Sequence, residues 1–178
     1  MISQNVQTKI TTFVFGAFTY LERPIWFVLS LLPKTLRKVF YKLVFAEFGT
    51  GSFIDESCYF RYPWRIEIGD RVIINRGCQI YPSFFDDTKI CIGNDAVLGP
   101  NVTLFGAGQD PRNPKVGNIS GGIVIGSGVY IGGNSTIRYG VVVGEGAAIA
   151  AGSMVVKNVP DNVLVGGVPA QLIRRLRR

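Results

Sequence analysis

Every sixth residue from Ile68 onward is aliphatic: Ile68, Ile74, Ile80 and, past Asp86, Ile92, Leu98 and Leu104. After an interruption the ladder resumes at Ile125 and runs through Ile131, Ile137, Val143, Ile149 and Val155. A period of six fits neither an α-helix nor a simple alternating strand. It does fit a parallel β-helix, in which each flat side is a short strand, each corner is a tight turn, and three hexapeptides close one coil. The aliphatic residue of each hexapeptide then points inward and stacks on its counterpart in the next coil. Seven of the thirteen rungs are followed by Gly or Ala (Gly69, Gly93, Gly99, Gly126, Gly132, Gly144 and Ala150), which suits a corner where a Cβ would crowd the backbone. Upstream, Phe48, Ile54, Phe60 and Ile66 keep the spacing and then slip by two. The fold class is therefore an all-β solenoid.

Two departures interrupt the period. The stretch from Pro82 to Thr88 is expected to bulge outward, so that Asp86 need not face the core. Residues 105–122 (GAGQDPRNPKVGNISGG after Phe105) have the composition of an extruded loop, a usual place for function on a regular scaffold. These features divide the chain into an amphipathic helical segment at 1–47, a β-helix at 48–160 and a closing segment at 161–178. The closing segment reads as a loop followed by a short basic helix.

Residues 13–32 are apolar and aromatic, but Glu22, Arg23 and Pro24 stand in their middle, where lipid would tolerate them poorly. Two short amphipathic helices broken at Pro24, with a third from about Thr35 to Phe45, are expected instead. Their aromatic and basic residues suit peripheral membrane contact through residues 10–45, or packing on the β-helix or on a neighbouring subunit. The formal net charge of +7 favours anionic partners. The three cysteines lack CxxC spacing, which fits a reducing, cytoplasmic setting. The chain contains no histidine, which excludes any His-ligated zinc site.

The ladder, the loop and the ending IAAGSMVVKNVPDNVLVGGVPAQLIRRL together resemble the hexapeptide-repeat acetyltransferases, above all the maltose/galactoside and colanic-acid or O-antigen type sugar O-acetyltransferases. The resemblance covers roughly residues 48–176, and the GxPA element is its most diagnostic part. It implies a left-handed β-helix, a homotrimer, and an active site between neighbouring coils that takes acetyl-CoA and a sugar or lipid-linked glycan acceptor. Neither a metal nor a nucleic-acid partner is expected. By resemblance, Gly133 and Ala151 would meet the pantetheine arm, and Lys157 and Arg174 the nucleotide phosphates. Asn75 would face the cleft and Asp87 the sugar hydroxyls. Extra residues between these two positions leave the sugar role open to Asp86 as well, and Arg112 could hold an anionic group. The implied setting is surface-polysaccharide assembly, with the enzyme in the cytoplasm or at the inner face of the plasma membrane.

Transfer of an acyl group from a thioester to a hydroxyl needs a base, and in the family a loop histidine supplies it. Aligned from Ile92-Gly93 through Asn101-Val102-Thr103, that place holds Gln109. A glutamine amide can orient a hydroxyl or donate to an oxyanion, but it takes no proton near neutral pH. Four explanations stay open. Asp110 or Asp87 could serve as base if burial raises its pKa. The acceptor could be an amine, making the protein a sugar N-acyltransferase. The loop could carry a replaced histidine. Lastly, the chain could be a non-catalytic trimeric binding or scaffold protein.

Overall fold

The computed structural model describes residues 24, 26, 28, 29, 31–84, 86–110, 112 and 118–176. Of the two short helices expected to be broken at Pro24, the first lies outside these residues, whereas Pro24, Trp26, Val28, Leu29 and Leu31 are helical. The chain forms two compact units, Met1–Val39 and Phe40–Arg178. Helix α1 spans Lys34–Val44, one residue earlier at each end than the sequence suggests. Pro33 precedes it and its carbonyl accepts the Leu36 and Arg37 amides, while Lys42 in the last turn complements the helix dipole. Among the described residues no helix is long and apolar enough to cross a membrane.

Phe40–Arg178 contains a β-helix built from three parallel sheets, one per side. Side A stacks Phe48, Ile68, Ile92, Ile125 and Val143 in register. Side B stacks Ile54, Ile74, Leu98, Ile131, Ile149 and Val165. Side C stacks Phe60, Ile80, Leu104, Ile137 and Val155. All of these except Phe48 are buried, and each buried aliphatic side chain contributes about 1.5–3 kcal/mol. Asp86 is off the ladder, in the expected bulge.

The small residues beside the rungs are required by the stacking. A Cβ on Gly132 would stand 2.4 Å from the Ala151 nitrogen, and one on Gly99 would stand 2.6 Å from the Gly133 nitrogen. Successive coils come so close at these corners that only hydrogen fits between them.

Every change in coil length falls at the corner between sides C and A. Phe60 and Ile68 bracket the 3-10 turn Pro63–Arg65, which absorbs the two-residue slip. Ile80 and Ile92 bracket the 82–88 bulge, and Leu104 and Ile125 bracket the long loop. The closing coil is shortened at the same corner, where Val159 bridges to Val143.

Both ends of the solenoid are covered. At the first coil, Tyr41, Phe45, Phe48 and Phe60 form an aromatic cluster, with Phe45 edge-on to Phe60 at 5.1 Å. At the last coil the expected C-terminal helix is absent. Strand Val163–Gly167 turns back through a cis Val168-Pro169 bond, and Ala170–Arg175 pairs with it antiparallel. A basic segment of about six residues is too short to hold a helix alone, whereas the open edge of side B offers a full ladder of backbone partners.

Candidate active site

The long loop leaves side C at Phe105 and opens as a β-hairpin, Ala107–Gln109 against Asn118–Ser120. Ala107 pairs with Ser120, Gly108 with Ile119 and Gln109 with Asn118. The base of the hairpin is held on several sides. The Gly106 amide donates to the Tyr81 carbonyl at 2.7 Å, and the Gly121 amide donates to the Gly106 carbonyl at 3.0 Å. The Gly140 amide donates to the Gly122 carbonyl at 3.1 Å. Gly108 lies on the ring of Tyr139, over which the Arg138 guanidinium sits at 4.4 Å. Beside the hairpin root, Tyr81 and Phe105 stack at 5.3 Å, and Tyr59 continues the row at 5.4 Å from Tyr81. Gln109 itself is exposed.

The carboxylates proposed as substitute bases occupy different surroundings. Asp110 is largely covered, and it accepts the Arg112 amide at 2.9 Å and the Arg112 guanidinium at 3.2 Å. Arg112 is accordingly paired within its own turn, and the anionic ligand envisaged for it would have to compete with Asp110. Asp87 is fully exposed, so the burial required of it is missing, and Arg65 approaches it at 3.4 Å. Asp86 is engaged by Ser83, Thr88 and Ser120. Burial alone would push Asp86 up, but the hydrogen bonds from Ser120, Thr88 and Ser83 outweigh it and hold the carboxyl below its usual value.

Of the residues expected to meet acetyl-CoA, Gly133 and Ala151 lie between sides B and C on successive coils, and Asn75, expected to face the cleft, lies at the same corner two coils before Gly133. Asn75 donates its side-chain amide to the Leu98 carbonyl at 2.7 Å and is half-buried. The amides of Gly132, Asn134, Ala150 and Gly152 are bonded within the coils. Gly133 and Ala151 alternate with them, and Ala151 is exposed. Lys157 lies instead at the corner between C and A, and Arg174 pairs with Leu164 beyond side B; both are exposed. The structure therefore groups Asn75 with Gly133 and Ala151, and groups Asp86, Asp87, Asp110 and Arg112 with Gln109. It does not bring the two groups together within one chain.

Tyr139, Ser83 and Ser120 escaped the sequence reading. Tyr139 and Ser120 matter through contacts with Gly108 and Asp86, more than thirty positions away, and Ser83 through Asp86 within the same bulge, whose conformation only the fold sets. Among the described residues no cluster of metal-ligating side chains occurs.

Comparison with known proteins places this geometry. Residues 122–157 match the family described as bacterial transferase hexapeptide (six repeats). A galactoside O-acetyltransferase of Escherichia coli K12 is 35% identical over 143 residues, covering 79% of this chain and 68% of that protein. A hexapeptide-repeat acetyltransferase of Vibrio cholerae, solved with acetyl-coenzyme A, superposes with a TM-score of 0.77 at 30% identity and covers 86% of each chain. A galactoside acetyltransferase solved with coenzyme A superposes with a TM-score of 0.78 at 31% identity, covering 87% of this chain and 78% of that one. With its rungs in register, its corner loop in place and relatives matched over most of their length, the chain belongs to the hexapeptide-repeat acetyltransferases of left-handed β-helical fold.

Proposed function

We propose that the protein transfers an acetyl group from acetyl-CoA to a hydroxyl of a sugar or glycan precursor. The observation that carries this reading is the hairpin at the C–A corner, which bears Gln109, the residue that the family resemblance aligns with the loop histidine. In the reaction the hydroxyl oxygen attacks the thioester carbonyl, the C–S bond breaks, and the CoA thiol leaves with a proton. Gln109 can orient the attacking hydroxyl or donate to the oxyanion, but it cannot take the proton. The step is therefore slow, because Asp110, the carboxylate next to Gln109 in the chain, is committed to Arg112.

Gly133 and Ala151 occupy the corner between sides B and C and the hairpin the corner between C and A, so joining the pantetheine wall to the hairpin needs the corner of one copy and the hairpin of the next. Flat prism sides closing around a threefold axis provide that, and we infer a homotrimer with Gly133 and Ala151 along the pantetheine and Lys157 and Arg174 at the phosphates. Acceptors from surface-polysaccharide assembly fit the helix α1 surface, where Leu36, Val39 and Leu43 are exposed beside Lys38 and Lys42. That surface suits the inner face of an anionic membrane carrying a lipid-linked acceptor. Flotation with anionic liposomes tests it: equal binding by the full chain and by one starting at residue 46 would sink the membrane reading.

The alternative reading, a non-catalytic binding protein, draws on the same missing base. Calorimetry with acetyl-CoA and an assay over a panel of sugars, with and without Gln109→His, separate the two. Binding together with transfer that rises in Gln109→His supports the enzyme. Absence of acetyl-CoA binding supports the scaffold.

A further inference from the structure

We propose that Asp86 is a positioning residue whose carboxylate braces the 82–88 bulge against the hairpin and so sets where Gln109 stands. The inference rests on reading that hairpin as the acyl-transfer loop. Each oxygen of Asp86 is accounted for. Oδ1 accepts the Thr88 amide at 3.2 Å and the Thr88 hydroxyl at 2.5 Å. Oδ2 accepts the Ser120 hydroxyl, and the buried Ser83 hydroxyl bonds the same carboxylate. A carboxylate offers about four lone-pair sites. Four donors fill them, leaving no free site for a sugar hydroxyl, so the substrate-binding role considered for Asp86 gives way to a structural one within the site.

The brace reaches further than one bond. Arg65, in the 3-10 turn of the first coil, donates to the Ser83 carbonyl at 2.8 Å and approaches Asp87 at 3.4 Å. Arg65, Ser83, Asp86 and Ser120 thus form a polar chain tying three successive excursions at one corner. Its last member, Ser120, pairs with Ala107, and Gln109 stands two residues farther along the same ladder. A shift at Ser120 is carried by that ladder to Gln109. Displacements of about 1 Å at a positioning element can cost on the order of a hundredfold in rate, so a modest contact can control the chemistry.

The test compares Ser120→Ala, Asp86→Ala, their double variant and Ser120→Thr. It reads kcat, both KM values and hydrogen exchange at Ala107–Gln109 and Asn118–Ser120. Each alanine variant should lower kcat about tenfold or more with the acetyl-CoA KM unchanged. Each should also speed hairpin exchange by about tenfold, the loss of roughly one hydrogen bond. The double variant should be no worse than Asp86→Ala alone, and Ser120→Thr, which keeps the hydroxyl, should restore both readouts. The brace is overturned if Ser120→Ala changes neither rate nor exchange while Asp86→Ala raises the acceptor KM, which would make Asp86 a sugar ligand. If neither wild type nor Gln109→His transfers acetyl, the acyl-transfer reading fails by itself. Exchange then decides the brace: faster exchange in Ser120→Ala supports it, and unchanged exchange overturns it. Should Asp86→Ala not fold, Ser120→Ala and Ser120→Thr carry the same decision.

Discussion

Gly108 rests on the ring of Tyr139, so closely that a Cβ at position 108 would stand 2.8 Å from Cε1. This contact fixes the height of the hairpin above the solenoid one residue before Gln109. Gly108→Val should lift the strand, reduce acetyl transfer about tenfold or more, and leave the melting temperature nearly unchanged, since the β-helix below is untouched. Tyr139→Ala should return part of the rate to Gly108→Val by making room. A full-rate Gly108→Val enzyme would mean that hairpin height does not matter.

Gln109→His should raise kcat by about two to four orders of magnitude, the usual range for a positioned general base. The pH profile gives a stricter test. An imidazole accepts a proton only when neutral, so the gain should grow as pH rises through about 6.5 and then level off. Wild type should lack that limb. A pH-independent gain would point to a better hydrogen bond rather than to a base.

Ile131 is fully buried in the middle of side B, and Gly132 beside it meets the next coil's backbone. Ile131→Ala should cost about 2–5 kcal/mol by leaving a cavity. Gly132→Val should cost at least as much, because the Ala151 nitrogen cannot move without opening the coil. Denaturant unfolding of both variants measures this. If Gly132→Val were neutral, the close stacking inferred at that corner would be wrong.

On side A, the Glu67 carboxylate accepts from Lys89 at 2.6 Å and from Cys91 at 3.3 Å, and these bonds hold it below its ordinary value. Burial and the same carboxylate push the Cys91 thiol up to about 11. A thiol reacts as its thiolate, so alkylation of Cys91 at pH 8 should be slower than that of a free thiol by on the order of a hundredfold, and should accelerate as pH approaches 11. Glu67→Gln should recover only part of the rate, because burial remains. The lowered Glu67 stabilises the fold above the ordinary carboxylate range, and this contribution is lost as pH falls through its lowered value. Glu67→Gln should therefore flatten the acid limb of the melting curve. Mass spectrometry of labelled protein and thermal melts over pH read both effects.

The ladder was legible because stacking one coil on the next is a local demand repeated at each rung, and Ile131, Ile149 and their counterparts must satisfy it every time. Even the two-residue slip after Phe60 could be seen, although not its cause in the 3-10 turn at Pro63–Arg65. The C-terminal strand was not legible: LIRR has no marked strand pattern, and its conformation is chosen by the open edge at Val163–Gly167. Nor was the role of Asp86, since Ser120 lies 34 residues downstream and only the folded corner brings them together. That Gln109 lies in the extruded loop could be read from the break in the period. What holds it, Tyr139 and the Asp86–Ser120 bond, belongs to tertiary structure.

All departures from the eighteen-residue coil gather at one corner, and this makes that edge a port for insertion. Lengthening or replacing residues 106–122 alters neither the rungs nor the sides used for stacking, because the chain re-enters at Ile123 in the register it would have had anyway. Reaction chemistry and acceptor choice can thus be exchanged like a cartridge while the scaffold keeps its pitch. A family loop carrying histidine, grafted between Phe105 and Ile123, should be accepted without refitting the core.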